Sequence, residues 1–405
     1  MRVKLPACPM GNERQIFLQH IAQTSPAPLM LEIERAEGIY LYAKDGTRYI
    51  DGISGIAVSN VGHSHPRVVD AVCRQASRYM HLMVYGEFIE TPQVQYAAAL
   101  CALLPPQLQN VYFTNSGAEA TEGAMKLAKR HTGRTEIIAF KNSYHGSTQG
   151  ALSIIGSERF KQNYRPLLPG IRQLRYGVLD DLVHITQNTA AVFFEPIQAE
   201  SGITMPDKHY VQALRERCTL TGALLVFDEA QTAFGRTGAM FAMEHFEVTP
   251  DILLLAKALG GGMPLGAFIS SKEIMQSLAH RPALGHITTF GGHPVCCAAG
   301  LAALEVLQTE NLIAHAETKG ALLHNLLAPA NIPISRAGMM FAMHFQNENM
   351  CRSVISECLR RGLLTDWFLF APASMRIALP LTVTHAQLNA VADIILQSIR
   401  SCQTN

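Results

Sequence analysis

The sequence is poor in charge, and charge of one sign does not accumulate anywhere along it. Charged residues make up 16% of the 405 residues, and 33 lysines and arginines against 32 aspartates and glutamates leave a net charge of +1. Attraction of nucleic acid or of an anionic membrane needs an excess of positive charge, so we expect neither partner. Hydrophobic residues reach 48%, which excludes a disordered chain and provides for a large buried core.

The chain also lacks a long apolar run and a disulfide pattern. Its most apolar stretch, residues 251–271, is interrupted by Lys257, three glycines and Pro264, whereas a membrane span needs roughly 20 uninterrupted apolar residues. Residues 1–11 contain no apolar segment of a secretory signal. The nine cysteines are odd in number and form no C-x-x-C pair, which is typical of reduced thiols in the cytoplasm. We therefore expect a cytoplasmic globular protein.

Short apolar runs alternate with helical patterns through the middle of the chain. This alternation predicts an α/β fold with a mostly parallel sheet, covered on both faces, that binds ligands beyond the carboxyl ends of its strands. The predicted strands are 110–113, 136–140, 190–194, 223–227, 252–255 and 267–270.

The two ends of the chain differ from the middle. Residues 31–50 predict a hairpin, and helix prevails after about residue 300, followed by mixed α and β with a strand at 339–345. The simplest organisation is a large α/β domain and a smaller α+β domain built from both chain ends. The predicted bounds are 1–50 for the N-terminal segment of the small domain, 51–300 for the large domain and 301–405 for the C-terminal segment.

Three segments carry residues suited to chemistry at the ends of predicted strands. In the first, residues 113–120 (FTNSGAEA), Ser116 and Glu119 have the spacing of a capping box at the start of a helix. Free N–H groups at a helix N-terminus bind anions, and the small residues Gly117 and Ala118, with Ser116, let a phosphate approach. Taken alone, this segment is better explained as an ordinary capped helix.

The other two segments place a carboxylate and a lysine. Asp228 follows an apolar strand directly, although an aspartate there can equally cap a helix. Lys257 follows four aliphatic residues and precedes three glycines, the reverse of the order in a phosphate-binding P-loop. Partly buried lysines have a lowered pKa and attack carbonyl groups, although a lysine at a strand end can also extend its charge to solvent.

Together, a phosphate cradle, a carboxylate and a Schiff-base lysine are what pyridoxal phosphate requires. The carboxylate keeps the pyridine nitrogen protonated, so that the ring accepts electrons. The lysine holds the cofactor aldehyde until a substrate amine displaces it, and it then moves the proton between Cα and C4′ as general base and acid.

Over nearly its whole length the sequence resembles the class III (ω-) aminotransferases of fold type I. Residues 227–238 (FDEAQTAFGRTG) and 250–266 carry the resemblance most clearly. It implies a pyridoxal-phosphate-dependent transaminase in which Lys257 is the Schiff-base lysine and Asp228 the partner of the pyridine nitrogen. By the same resemblance, the phosphate is bound by Ser116, Gly117 and Ala118, and the cofactor 3′-oxygen lies by Gln231.

The resemblance implies further residues around the cofactor and at a subunit interface. Residues 142–146 (NSYHG) match the family's aromatic turn, so Tyr144 is expected to stack on the ring face, with His145 beside the cofactor. Glu195 is similar to the family's active-site glutamate. In residues 288–294 (TTFGGHP), Thr289 corresponds to the threonine that reaches the phosphate of the neighbouring subunit. The resemblance therefore implies a homodimer with shared active sites.

Two signals from the substrate-binding residues disagree. Arg376 stands where the family has the arginine that binds a substrate α-carboxylate. Glu200 stands where ornithine-type relatives have a glutamate that pairs with that arginine. Such a pair can be a gate or merely structural. At the position of Ser147, acetylornithine, ornithine and 4-aminobutyrate transaminases usually have an arginine that binds a second carboxylate. Because this chain lacks that arginine, recognition of a distal carboxylate is in doubt. Residues 54–58 (SGIAV), by contrast, look most like the acetylornithine branch.

The sequence thus predicts a transaminase that moves an amino group from an amino acid or ω-amine, acetylornithine- or ornithine-like, to a keto acid such as 2-oxoglutarate. Alternatives are an aminomutase or a decarboxylase of the same fold, or an ω- or β-amino acid transaminase with another donor. A non-catalytic protein that binds pyridoxal phosphate is a remote alternative. No metal site is expected, because His63 and His65 have no carboxylate or cysteine cluster beside them.

Overall fold

The computed structural model describes residues 13–403. The predicted absence of a secretory signal in residues 1–11, and Cys8, lie outside the described residues. Among residues 13–403, no helix combines the length and the apolar character that crossing a membrane requires.

The strands are β1 (Ile33–Glu37), β2 (Tyr40–Ala43), β3 (Arg48–Asp51), β4 (Asn110–Thr114), β5 (Glu136–Phe140), β6 (Ile171–Leu174), β7 (Thr189–Phe194), β8 (Leu224–Asp228), β9 (Ile252–Leu255), β10 (Gly266–Ser270), β11 (Ile334–Ala337), β12 (Met340–His344), β13 (Leu363–Leu364), β14 (Asp366–Phe368) and β15 (Ala371–Ile377). The helices are α1 (Glu13–His20), α2 (Ser54–Ala57), α3 (Pro66–Arg78), α4 (Thr91–Leu103), α5 (Gly117–Thr132), α6 (Gln149–Ile154), α7 (Lys208–Thr221), α8 (Lys272–Met275), α9 (Pro294–Thr309), α10 (Leu312–Leu327), α11 (Glu348–Arg360) and α12 (His385–Gln403).

Seven strands form a central sheet in the order β4-β10-β9-β8-β7-β5-β6. β10 runs antiparallel to both of its neighbours, and the other four pairings are parallel, which confirms the predicted mostly parallel sheet. Every residue of β7, β8, β9 and β10 is buried, which explains why these strands are continuous apolar runs in the sequence. All six predicted strands are present, with each end within one residue of the prediction.

The remaining strands form two four-stranded sheets, β1-β2-β3-β13 and β11-β12-β15-β14. Pairing of β13 with β3 joins the C-terminal part of the chain to its N-terminal part, so the smaller part of the fold does come from both chain ends. The bounds 1–50, 51–300 and 301–405 stay a prediction, and α9 extends across the limit at residue 300.

The turn α2 has a left-handed backbone. The φ angles of Ser54, Gly55, Ile56 and Ala57 are 50°, 59°, 66° and 59°. For residues other than glycine, this conformation costs roughly 1–2 kcal/mol each, so the surroundings must hold it. Asp51 does so by accepting hydrogen bonds from the N–H groups of residues 53 and 54 at 3.0 and 2.9 Å, and the Ser54 hydroxyl donates to the residue 378 carbonyl at 2.5 Å.

Candidate active site

A cavity of about 520 Å³ lies beyond the carboxyl ends of β8 and β9 and at the start of α5. Parallel strands that end at one edge bring residues far apart in the sequence to the same place. The cavity is lined by nine of the predicted site residues, namely Ser116, Gly117, Ala118, Tyr144, His145, Glu195, Asp228, Gln231 and Lys257.

The start of α5 forms a small, closely packed rim. The Ser116 side chain accepts a hydrogen bond from the N–H of Glu119 at 3.2 Å. The Glu119 carboxylate accepts from the N–H of Asn115 at 2.9 Å, whereas a capping box would have it accept from Ser116. A Cβ at Gly146, where φ is 121°, would lie 2.6 Å from the Cβ of Ala118. Only small residues fit here, and the helix N-terminus is suited to a phosphate group.

Asp228, the last residue of β8, is held from two sides. Its Oδ2 lies 2.8 Å from Nδ1 of His145, and its Oδ1 accepts a hydrogen bond from the N–H of Ala230 at 3.0 Å. Both side chains are buried. Because His145 and the backbone orient the carboxylate, Asp228 can present a fixed negative charge to a protonated ring nitrogen.

Lys257 comes two residues after β9 and has a φ of 52°, a strained value for a residue with a Cβ. Burial lowers the pKa of its ammonium group to about 8, although Glu200 and Asp228 act in the opposite direction. A lysine with this pKa has an appreciable neutral fraction near neutral pH, and the neutral amine is the form that attacks a carbonyl.

Tyr144 and Glu195 are joined on the wall of the same cavity. The N–H of Tyr144 donates to Oε2 of Glu195 at 3.0 Å, and the Tyr144 hydroxyl lies 3.1 Å from the hydroxyl of Ser147. Burial, with the nearby charge of Asp228, raises the pKa of Glu195 well above its usual range. Burial and the Asp228 charge therefore both disfavour the ionised form of Glu195.

A second cavity of about 350 Å³ adjoins the first and shares Tyr144, Gln231 and Lys257 with it. Here Nη2 of Arg376 donates to Oε2 of Glu200 at 2.8 Å, and both side chains are buried. Gln231 donates to the other oxygen of Glu200 at 3.0 Å. Although burial raises the pKa of Glu200, the Arg376 charge and the Gln231 hydrogen bond outweigh it and leave that pKa lowered. The two residues therefore form a buried ion pair that faces Lys257.

Asp366, the fourth charged residue that lines this cavity, was not predicted from the sequence. Its Oδ1 lies 3.1 Å from Nε of Arg376, because the two residues are register partners on β14 and β15. Burial raises the pKa of Asp366 to about 6, with Arg376 opposing the shift and Glu200 adding to it. The pairing of β14 with β15 is the signal that would have revealed Asp366, and it is not visible as a sequence motif.

Thr289 lines neither cavity of the single chain and is exposed to solvent. Its neighbour Thr288 accepts a hydrogen bond from Nδ2 of Asn115, which does line the first cavity, at 3.2 Å. The role of Thr289 toward a neighbouring subunit stays a prediction. The turn around His63 is structural: Nε2 of His63 lies 2.8 Å from Asp51, the residue that holds α2.

The sequence profile of the aminotransferase class-III family matches residues 21–399. The chain belongs to the class III aminotransferases. This aminotransferase is 36% identical over 398 residues, 95% of its length and 98% of the relative's, to an acetylornithine aminotransferase from Methanothermobacter thermautotrophicus. It is 43% identical over 297 residues, 73% of its length and 75% of the relative's, to an acetylornithine aminotransferase from Methanopyrus kandleri.

Its fold matches a solved structure of the ornithine aminotransferase from Toxoplasma gondii, which has partial occupancy of pyridoxal phosphate at the active site. The TM-score is 0.90 at 29% identity, covering 97% of this chain and 94% of that one. The class III aminotransferase is therefore a pyridoxal-phosphate-dependent transaminase, and the predicted family, fold class, enzyme class and cofactor are confirmed.

Proposed function

We propose that this enzyme transfers the terminal amino group of an acetylornithine- or ornithine-like donor to a keto acid such as 2-oxoglutarate. The observation that carries the proposal is the position of Lys257 between two cavities. One cavity contains Asp228 and the start of α5, and the other contains the Arg376–Glu200 pair. The names of the curated relatives and of the Toxoplasma gondii enzyme support this class of donor.

In the first cavity, the residues present fit pyridoxal phosphate, which supplies an electron sink when it is bound. The start of α5, with Ser116, Gly117 and Ala118, binds the phosphate through backbone N–H groups and the helix dipole. Asp228, oriented by His145, keeps the pyridine nitrogen protonated. The remaining proposed cofactor contacts are Tyr144 on the ring face, Gln231 by the 3′-oxygen and Glu195 on the cavity wall.

Lys257 holds the cofactor aldehyde and carries the proton of the reaction. Because burial lowers the pKa of its amine to about 8, the group can both accept and donate a proton near neutral pH. Because Lys257 lines both cavities, its amine can reach the substrate carbon as well as the cofactor.

In the second cavity, the Arg376–Glu200 pair lets the site accept either the amine end or the carboxylate end of a substrate. A terminal amine brings no carboxylate, and Glu200 then neutralises Arg376. A keto acid brings a carboxylate that takes the place of Glu200 on the planar guanidinium fork. Ser147, which offers a hydroxyl where an arginine is usual, favours a second candidate function: transamination of an ω- or β-amino acid with another donor.

We also propose a homodimer in which Thr289 of one subunit completes the phosphate site of the other. Two large apolar side chains support a buried interface here: Ile89 is 93% exposed and Phe290 is 53% exposed in the single chain. Their segments contact each other through Nε2 of Gln93 and the carbonyl of Gly292, 3.5 Å apart. The eight cysteines of the described residues are free thiols, which supports the proposed cytoplasmic location.

Mixed dimers test the shared site. Lys257→Ala and Thr289→Ala subunits, unfolded and refolded together, form heterodimers that contain one site with both native residues if Thr289 acts across the interface. We then expect wild-type affinity for pyridoxal phosphate at that site and partial recovery of transaminase activity. If both residues act within one chain, no such site forms and the mixture shows only the activity of the two variants.

A titration followed by visible absorbance tests the donor. Single amino donors are added to the enzyme loaded with pyridoxal phosphate: ornithine, acetylornithine, 4-aminobutyrate, β-alanine, glutamate and simple ω-amines. We expect acetylornithine or ornithine to bleach the cofactor band and 2-oxoglutarate to restore it, with no such cycle in Lys257→Ala. Bleaching only by β-alanine or simple ω-amines would replace the proposed donor with the second candidate.

A further inference from the structure

We infer that Asp366 is a specificity-determining residue: a second counter-ion of Arg376 that opposes binding of a carboxylate there and favours donors whose reacting carbon carries none. The inference rests on the proposed role of Arg376 as the carboxylate-binding residue. It concerns a residue that belongs to no motif of the resemblance and lies opposite Arg376 only because β14 pairs with β15.

The geometry leaves Arg376 shared between two carboxylates. Nη2 donates to Glu200 at 2.8 Å, and Nε lies 3.1 Å from Oδ1 of Asp366. The second contact is an ion pair without hydrogen-bond alignment, since neither of its atoms has a hydrogen-bond partner among the described residues. Nη1 of Arg376 also lacks a partner there. The guanidinium therefore has donors left for a ligand but is already surrounded by negative charge.

The charges around this cavity do not favour an additional anion. Glu200 and Asp366 face one guanidinium, and the walls beside them are apolar, formed by Ile56, Trp367 and Leu369. Lys257 also lines this cavity, but in the proposed function its amine holds the cofactor aldehyde. A substrate carboxylate that replaces Glu200 on Arg376 would still face the Asp366 carboxylate, and like charges at this distance oppose one another. A terminal amine without a carboxylate avoids that repulsion.

Asp366 can relieve the repulsion by taking up a proton. Burial already raises the pKa of its carboxyl to about 6, and a further anion on Arg376 would raise that pKa again. A carboxylate is thus expected to bind more tightly below pH 6 than at pH 8, and to bind with proton uptake near pH 7. The groups that face Asp366 from the surrounding elements are Arg376 on β15, Glu200 after β7, Asp51 on β3 and Cys351 on α11.

Three of these groups do not provide the same response. Burial raises the pKa of the Cys351 thiol to about 12, so it stays neutral throughout this pH range. Asp51 is paired with Nε2 of His63 at 2.8 Å and holds the backbone of α2. Glu200 is held by Arg376 and Gln231, which leave its pKa lowered. Asp366 is therefore the carboxyl of this cavity whose ionisation can follow ligand binding near neutral pH.

The test compares the cofactor-loaded wild type with Asp366→Asn, Asp366→Glu and, as a matched surface control, Asp393→Asn on α12. The ligand is propionate, a carboxylate without an amino or oxo group, and its dissociation constant is measured at pH 6 and pH 8 from the absorbance of the bound cofactor. Calorimetry in two buffers of different ionisation enthalpy gives the protons taken up at pH 7. The same variants are assayed for kcat/KM with a terminal amine and with an α-amino acid.

We expect Asp366→Asn to bind propionate about tenfold more tightly at pH 8, the effect of one pKa unit of interaction. Its preference for a terminal amine over an α-amino acid should fall by a similar factor, and its proton uptake should disappear. Asp366→Glu, which keeps the charge, and Asp393→Asn should behave as wild type. Wild-type propionate affinity and proton uptake in Asp366→Asn would overturn the inference.

The Arg376→Gln variant distinguishes failure of the proposed role of Arg376 from failure of the inference about Asp366. If it loses propionate binding while Asp366→Asn matches the wild type, the carboxylate role of Arg376 stands and only the inference about Asp366 fails. If Arg376→Gln binds propionate as the wild type does, the proposed function of Arg376 fails first. The cofactor absorbance band shows in each case that the variant has folded and loaded.

Discussion

The cavity around Asp228 and the cavity around Arg376 share Lys257, but they are built differently. In the first, each functional residue stands at the end of a strand of the central sheet or in the turn that follows it. In the second, α2, the loop after β7 and the hairpin of β14 and β15 each contribute residues. The cofactor side of the site is therefore a property of the sheet edge, whereas the substrate side depends on how separate parts of the fold meet.

The two cavities also differ in how their charges are balanced. Around Asp228, one carboxylate is oriented by His145, and burial raises the pKa of the neighbouring Glu195. Around Arg376, one guanidinium faces two carboxylates. A fixed charge suits a cofactor that stays in place, and a shared charge suits the proposed binding of substrates of different kinds. Substitutions in the first cavity should therefore affect every substrate, and those in the second should affect some substrates more than others.

The largest effect is expected from Lys257→Ala. Loss of both the cofactor linkage and the general base should lower kcat at least about 10³-fold with every donor, since general acid–base catalysis alone contributes 10²–10⁴. Single-turnover rates with two different donors measure this, and Lys272→Ala, at an exposed lysine on α8, is the control. A loss confined to one donor would contradict the assignment of Lys257 to both cavities.

Asp228→Asn should have the next largest effect. The amide cannot supply the negative charge that keeps the pyridine nitrogen protonated, so kcat should fall on the order of 10²-fold for all donors alike. Steady-state kinetics with a terminal amine and with an α-amino acid check this. A change in KM for one substrate class, with kcat preserved, would show that Asp228 belongs to substrate recognition instead.

The pH dependence of cofactor loading should be smaller, about tenfold. Because burial lowers the pKa of Lys257 to about 8, the reactive neutral amine rises from about a tenth at pH 7 to about nine tenths at pH 9. The rate at which the apoenzyme takes up pyridoxal phosphate, followed by absorbance, should rise over this range and level off above it. A rate that keeps rising beyond pH 10 would indicate a lysine with an ordinary pKa.

Ser147→Arg should give the smallest and most selective effect. An arginine here would add a cation on the wall of the first cavity and allow a bidentate contact with a distal carboxylate. We expect KM for 2-oxoglutarate to fall severalfold, up to about tenfold, while KM for a keto acid with a single carboxylate changes little. Equal changes for both acceptors would place the added charge outside the substrate contacts.

Prediction from sequence succeeded where local pattern and chemistry coincide. Asp228 and Lys257 follow buried strands whose apolar runs are unmistakable, and Ser116 starts a helix that ends with a left-handed Gly133. The edge strand β6 was missed because its sequence, IRQL, has only two apolar residues. Only the last of its four residues is buried. Thr289 was assigned by resemblance, and a single chain does not bring it to the cavity.

The sequence by itself determined the family and the mostly parallel sheet, and it indicated residues that line the first cavity, because local motifs and apolar runs mark each of them. Only the tertiary structure decided that Asp366 faces Arg376 and that Ile56 and Trp367 form the walls beside them. The first depends on the register between β14 and β15, and the second on packing of α2 against β14, segments more than 300 residues apart. Electrostatic interaction depends on distance in space, so the charge balance of the substrate cavity could not be obtained from the order of residues along the chain.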